Sequence, residues 1–199
     1  MSDLLANLNT EQLQAVTLPP QHALILAGAG SGKTRGLTTR IAWLVHTGQL
    51  DPHGLMAVTF TNKAAKEMLA RLATLLPTAQ ARSARAMWVG TFHGLCNRLL
   101  RAHCRDAGLP QLFQILDSSD QLAAIKRLLK TLNVDDEKFP PRELQHFINA
   151  QKEAGIRPAA VDAWDEHTRR RVELYQEYEA QCQRESVVDF AELLLRTHE

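Results

Sequence analysis

Residues 27 to 34 read Ala-Gly-Ala-Gly-Ser-Gly-Lys-Thr, directly after the apolar run Ala23-Leu24-Ile25-Leu26. Alternating glycines, a lysine and a hydroxyl at this spacing suit a ligand with dense negative charge. Glycine lets the backbone curl closely and turn its N–H groups inward. A helix that begins at the loop adds the positive end of its dipole. Lys33 is then placed to reach the β- and γ-phosphates of a nucleotide, and the Thr34 hydroxyl to ligate Mg²⁺. The strict pattern G-x-x-x-x-G-K-[ST] is missed at one position, where Ala27 stands for the first glycine. That residue closes the turn and offers phosphate no side chain. A strand before the loop and a helix after it separate this reading from an incidental glycine-rich turn.

Two further clusters carry chemistry. Thr59-Phe60-Thr61-Asn62-Lys63 and Gly90-Thr91-Phe92-His93-Gly94 each follow an apolar run. Each offers an aromatic ring, hydroxyls and a nitrogen donor where an open α/β sheet presents its ligand surface. A nucleic-acid strand needs those parts, a π-face for bases and donors for phosphates. The alternative is structural: Phe60 and Phe92 pack inward, while Thr61, Asn62 and Thr91 cap helices. His93, Cys96, His103 and Cys104 lie close in sequence, but their spacing matches no standard zinc pattern.

The elements that must position these residues follow from periodicity. Asn9 or Thr10 caps a short helix through Val16, ended by Pro19-Pro20. Ala23–Leu26 is the predicted first strand. A helix after the loop carries Leu37, Ile41, Leu44 and Val45 and stops at Gly48. Leu55–Phe60 is nearly continuously apolar, which predicts a strand buried on both faces. A helix from Asn62, a strand over Met87–Gly90 and a helix running on to Gly108 complete an alternating α/β pattern. Ala79 to Arg85 reads as a loose loop. After Pro110 only one extended piece, Phe113–Leu116, precedes a series of helices: from Ser118 or Ser119, from Pro140-Pro141 to near Gly155, a long one with Val172, Tyr175, Tyr178 and Cys182, and one from Asp189.

Composition sets outer bounds. The 199 residues are 45% hydrophobic and 23% charged, as in a soluble globular protein. The net charge of +1 gives no vote for a polyanion partner, although a local basic face is compatible with it. No apolar run approaches the roughly 20 residues a membrane span needs. The N-terminus lacks the regions of a signal peptide. Cys96, Cys104 and Cys182 form an odd, scattered set that reads as reduced thiols in a cytosolic protein.

Taken in order, the motifs resemble the N-terminal portion of the UvrD/Rep/PcrA group of superfamily 1 DNA helicases. The resemblance rests on Leu8–Gln12, Ala15-Val16, Ala27–Arg35, Met56–Met68, Met87–Leu100, Phe113–Asp117, Gln151–Pro158 and Val187–Glu199, and so covers essentially the whole chain. It implies an α/β fold of the P-loop NTPase (RecA-like) kind, with a parallel sheet and a mostly helical inserted subdomain. Residues 1–110 would be the first motor subdomain and 111–199 the helical subdomain with the start of the return to the motor.

The resemblance also implies roles. Gln12 is similar to the Q-motif glutamine, whose amide donates to and accepts from adenine; its position three residues after Asn9 equally suits a capping box. Ala27, Gly28, Ala29, Gly30, Ser31, Gly32, Lys33, Thr34 and Arg35 correspond to the ATP loop, with Lys33 and Thr34 catalytic and Thr34 on Mg²⁺. Arg40 is either a further nucleotide contact or a structural arginine. Phe60, Thr61, Asn62 and Lys63 correspond to motif Ia, and Thr91, Phe92 and His93 to motif Ib, on the single-strand track. The implied cofactors are ATP and Mg²⁺. The implied partners are single-stranded DNA, single/double-strand junctions and repair proteins, with no membrane, in a bacterial cytosol near the nucleoid.

The family's Asp-Glu pair on a later strand is not found. Asp135-Asp136-Glu137 lies in a connection before Pro140-Pro141. The chain therefore reads as a piece of a 3′-to-5′ DNA repair helicase that lacks turnover by itself. The alternatives are a non-catalytic nucleotide- or DNA-binding module and the helicase-nuclease branch of the same superfamily.

Overall fold

The computed structural model describes residues 2–28, 30–76 and 87–199, in two units, Met1–Leu95 and Cys96–Glu199. The first unit opens with a single turn, α1 (Ser2–Leu5), which periodicity does not anticipate. Helix α2 (Thr10–Thr17) starts where the Asn9 side chain accepts the Gln12 N–H, and Leu18 closes it before the two prolines. Helix α3 (Lys33–His46) begins directly after Gly32 and gives way to Gly48, whose φ of 70° suits glycine. The strands β1 (Met56–Thr59) and β2 (Trp88–Thr91) are joined by a crossover containing α4 (Asn62–Leu75). They pair in parallel with Met56 opposite Trp88 and Thr59 opposite Thr91. Ile41, Ala42 and Val45 of α3 meet Met68 and Leu72 of α4 and Ala57 and Val89 of the strands in one apolar core.

Two sequence expectations are corrected here. Ala23–Leu26 forms no strand, and Leu24 and Leu26 are 84% and 85% exposed. A strand needs a neighbour for its N–H and C=O groups, and no described strand pairs with this run. Strand β1 is also not buried on both faces: Ala57 is buried but Met56 is 61% exposed. Among the described residues this sheet has two strands, and Met56 lies on its uncovered side. The loop foreseen at Ala79–Arg85 and the position of Ala29 lie outside the described residues.

Helix α5 (Phe92–Ala102) carries the chain into the second unit. It ends sooner than the sequence suggests, with His103 to Gly108 in turns. A short strand β3 (Gln114–Ile115) comes next, then α6 (Ser118–Thr131), α7 (Pro141–Glu153), α8 (Glu166–Glu185), β4 (Val187–Val188) and α9 (Phe190–His198). The sequence pattern shows only helices in the region of β4. The strand nevertheless pairs in parallel with β3, Gln114 opposite Val187. Asp117, Asp165 and Asp189 start α6, α8 and α9 by accepting backbone N–H groups of the first turn. Ile125, Leu129, Leu144, Ile148, Leu174 and Tyr178 form the main core. No helix of the described residues is long and apolar enough to cross a membrane.

A charged network pins α7, α8 and α9 together. The buried Lys152 ammonium lies 2.8 Å from Glu192 and 3.0 Å from Asp189. Arg157 donates to Glu179, to both oxygens of Glu192, and to both oxygens of Glu199. The Tyr178 hydroxyl and the Gln121 amide donate to Asp189 Oδ2 at 3.0 and 3.3 Å. Burial by itself raises the Glu192 carboxyl, yet Lys152 and Arg157 outweigh it and hold the group down to about 2. Burial pushes the Cys182 thiol up to about 11, which keeps it protonated and unreactive.

Because the Glu192 pKa falls on folding, its contribution is complete above the ordinary value of 4.5 and is lost as pH drops from there toward 2. Removing one partner of a buried pair costs about 3–5 kcal/mol. Urea unfolding of Glu192→Gln at pH 7 is expected to show a loss of that order, and a shallower fall of stability below pH 4.5 than the unaltered chain. An equally steep fall in the variant would remove Glu192 as the responsible group.

Candidate nucleotide loop and strand-end aromatic pair

The loop's path depends on two glycines. Gly30 and Gly32 have φ of 76° and 80°, a region that side-chain-bearing residues rarely adopt. Gly32 is the residue before α3, so Lys33 and Thr34 occupy its first two positions, and Gly36 N–H donates to Gly32 O at 2.8 Å. The Lys33 ammonium donates to the carbonyls of Ala27 at 2.7 Å and Gly28 at 2.6 Å. The Ser31 hydroxyl donates to Gly28 O at 2.8 Å. Thr34 and Arg35 are exposed on the first turn.

Gln12 reaches the loop from α2. Its Nε2 donates to Ser31 O at 3.0 Å, while its Oε1 accepts Asn9 N–H at 3.3 Å. The capping box and the loop contact are therefore both made, by different atoms of one amide. Asn9 thereby positions Gln12, a role already signalled by the N-x-x-Q spacing. Arg40 has a structural role: its guanidinium donates to the carbonyls of Ala15, Val16, Leu18 and Pro19, at the C-terminal end of α2 and just beyond it, and it also borders the cavity beside the loop. It ties α2 to α3 and so holds Gln12 over the loop. Between them lies a cavity of about 480 Å³, lined by Gln12, Ala15, Ile25, Leu26, Lys33 and Leu37 among others. An apolar wall beside a lysine and a two-way amide can take a flat heterocycle with a charged tail.

The second group forms where β1 and β2 end. In-register pairing sets Thr59 beside Thr91, so the next residues along each chain segment, Phe60 and Phe92, come together with ring centroids 5.8 Å apart. Phe60 is 89% and Phe92 50% exposed, so neither belongs to the core. The threonines do cap: Thr61 Oγ1 accepts Ala64 N–H at 3.1 Å, and Thr91 Oγ1 accepts Gly94 N–H at 3.2 Å. Asn62, Lys63 and His93 lie exposed in the first turns of α4 and α5. The two readings of these clusters divide by residue, with rings to solvent and hydroxyls to the helix ends.

A glycine-turned loop at one helix start, and two further helix starts that carry exposed rings, belong to a mixed helix-and-strand class of protein with small parallel sheets. The chain belongs to the UvrD/REP helicase N-terminal domain family, whose match spans residues 8–199. It is 53% identical to DNA helicase II of Escherichia coli and 49% identical to DNA helicase II of Haemophilus influenzae, in both cases along its whole length. It is 40% identical over 99% of its length to the ATP-dependent DNA helicase PcrA of Staphylococcus epidermidis. The chain spans 27% of the Escherichia coli protein and 27% of PcrA.

The loop geometry has a direct consequence for stability. A Cβ at Gly32 would stand 3.0 Å from Gln12 Nε2 and force a side-chain-bearing residue to a φ of 80°. Such a conformation costs about 1–2 kcal/mol. Gly36, inside α3, has nothing within 4 Å of that position. Gly32→Ala is expected to lower the unfolding free energy in urea, while Gly36→Ala is neutral or raises it by up to about 1 kcal/mol. Equal effects of the two substitutions would contradict this loop conformation.

Proposed function

We propose that this chain is the ATP- and single-strand-binding part of an ATP-dependent 3′-to-5′ DNA helicase that works in DNA repair. The observation that carries the reading is the loop itself: a lysine and a helix N-terminus on glycines with positive φ, with the Gln12 amide docked on it. Family membership and the names of the relatives support it. In this reading residues 1–110 are part of a P-loop NTPase motor of the RecA-like kind. Residues 111–199 are a helical insertion that leads back toward that motor. The protein works in the bacterial cytosol on single strands and strand junctions.

The residues present fit a nucleoside triphosphate with Mg²⁺. Bound ATP supplies the phosphoryl group whose transfer to water drives the cycle. Lys33 would exchange the carbonyls of Ala27 and Gly28 for phosphate oxygens, so that its ammonium meets ionised acceptors in place of neutral ones. The N–H groups that follow Gly30 belong to the same loop, and the Thr34 hydroxyl would hold the Mg²⁺ ion. Gln12 would leave the Ser31 carbonyl for the adenine edge, where its amide can both donate and accept. Phe60 and Phe92 stack on bases, and Asn62, Lys63 and His93 face the strand's backbone, with Thr61 and Thr91 holding the helix starts beneath.

Lys33→Ala in the full-length polypeptide is expected to cut ATP turnover by about 10³-fold or more, because the cation that meets the developing phosphate charge is gone. Phosphate release within tenfold of the unaltered protein would take this loop out of the active site.

Phe60→Ala and Phe92→Ala are each expected to weaken single-strand binding by about 1–3 kcal/mol with the salt slope unchanged, since a ring carries no charge. Lys63→Ala is expected to lower that slope by about 0.7. Fluorescence anisotropy across a salt series separates the two, and intact binding by both ring variants would mean that the pair does not stack on bases.

A further inference from the structure

No carboxylate occurs between Glu67 and Asp106, and Arg98, Arg101 and Arg105 close that interval. Several basic side chains of the second unit are met by acids. Arg127 pairs with Glu185, Arg170 with Glu173, Arg196 with Glu192, and Lys152 and Arg157 share four carboxylates between them. Arg101 and Arg105 stand outside this pattern. Arg98 and Arg101 lie three residues apart on one side of α5, and Arg105 comes four residues later in the turns beyond it. All three are exposed. The acid nearest in sequence, Asp106, lies 3.5 Å from His103 Nδ1.

Arg101 is held in place. Its guanidinium carbon sits 3.6 Å from the centroid of the Phe113 ring, itself buried. A guanidinium seated on a ring by its face keeps its N–H edge for other partners, and its fixed position reduces the entropy lost on binding. Arg101, His103, Arg105 and Gln111 line a hollow of about 480 Å³. The three residues of helix from Arg98 to Arg101 advance about 4.5 Å, the scale of one phosphate step at about 3.4 Å per strand. Guanidinium forks match phosphate oxygens in pairs.

We propose that Arg98, Arg101 and Arg105 form a second DNA contact, binding the phosphodiester backbone without regard to sequence. The proposal rests on the reading that the polypeptide binds DNA, and it names residues outside the strand-end clusters. The shared chemistry is the repeated phosphate, which a single strand and a duplex both present.

The experiment uses the full-length polypeptide and labelled single-stranded and duplex oligonucleotides of one sequence, with anisotropy read from 50 to 200 mM salt. Each lost phosphate contact lowers the slope of log affinity on log salt by about 0.7 for a single strand and about 0.9 for a duplex. The double variant Arg101→Gln/Arg105→Gln is expected to lose about twice that in the arm that supplies the backbone. Arg105→Gln alone, which leaves the Phe113 contact intact, is expected to lose half as much with an unchanged unfolding midpoint. Slopes and affinities equal to the unaltered protein in both arms, while Lys63→Ala still lowers its own, would overturn this site and leave the helicase reading standing. Absence of DNA binding by the unaltered protein would overturn both. Loss of binding to a polyglutamate peptide with the DNA slopes intact would overturn the proposal in favour of an acidic protein partner.

Discussion

Parallel pairing of β1 with β2 is the constraint on which the first unit turns. Two parallel strands cannot be joined by a tight turn, so a crossover element must return the chain to the starting edge, and α4 does so. Both strands then end at the same edge, and the helices after them begin there. The register, Thr59 opposite Thr91, decides that Phe60 and Phe92 meet and that the first turns of α4 and α5 open side by side. Helix starts carry unpaired N–H groups and a positive dipole end, so this edge favours an anion before any side chain is counted. A slip of one residue would turn Ala57 and Val89 out of the core and separate the rings.

The phosphate-type loop shows the same economy on a smaller scale. Its carbonyls take the donors nearest to hand, the Lys33 ammonium, the Ser31 hydroxyl and the Gln12 amide. An incoming anion therefore competes with contacts inside the protein rather than with water alone. The loop is also not an isolated device. Arg40 gathers four carbonyls at the end of α2, α2 presents Gln12, and Gln12 rests on Ser31. A change at Arg40 would reach the loop through that chain of hydrogen bonds.

The second unit solves a different problem. Lys152, Asp189 and Glu192 are almost wholly buried, and the cost of removing them from water is large. They are tolerated because every charge has several partners: Asp189 caps α9 with one oxygen and accepts Lys152, Tyr178 and Gln121 with the other. An apolar core holds helices together without fixing their register. A network with defined geometry allows fewer arrangements of α7, α8 and α9, and it uses residues of the Gln151–Pro158 and Val187–Glu199 stretches that carry much of the family resemblance.

Local rules made much of this legible. Asn9, Asp189 and the prolines at 140 and 141 mark helix ends because capping and the missing proline N–H act within a few residues, and the helices begin where those residues stand. The loop motif was readable for the same reason, since positive φ and the helix start are properties of neighbours in sequence. Pairing was not. The apolar Ala23–Leu26 run has the composition of a strand yet none of its structure, while Val187-Val188 sits at a helix end and pairs with Gln114-Ile115. Whether a strand exists depends on a partner distant in sequence, and composition does not record that partner. Exposure likewise came from packing: Phe60 and Phe92 had two consistent readings until the β1–β2 register set them side by side in solvent. Gln12 makes the capping box that its spacing from Asn9 suggests, and only the distance from α2 to the loop decided that the same amide also reaches Ser31 O. The sequence alone determined which groups are available and where helices begin. The tertiary structure decided which groups meet, because hydrogen bonds, ring contacts and buried charges act over a few ångströms in space, whatever their separation along the chain.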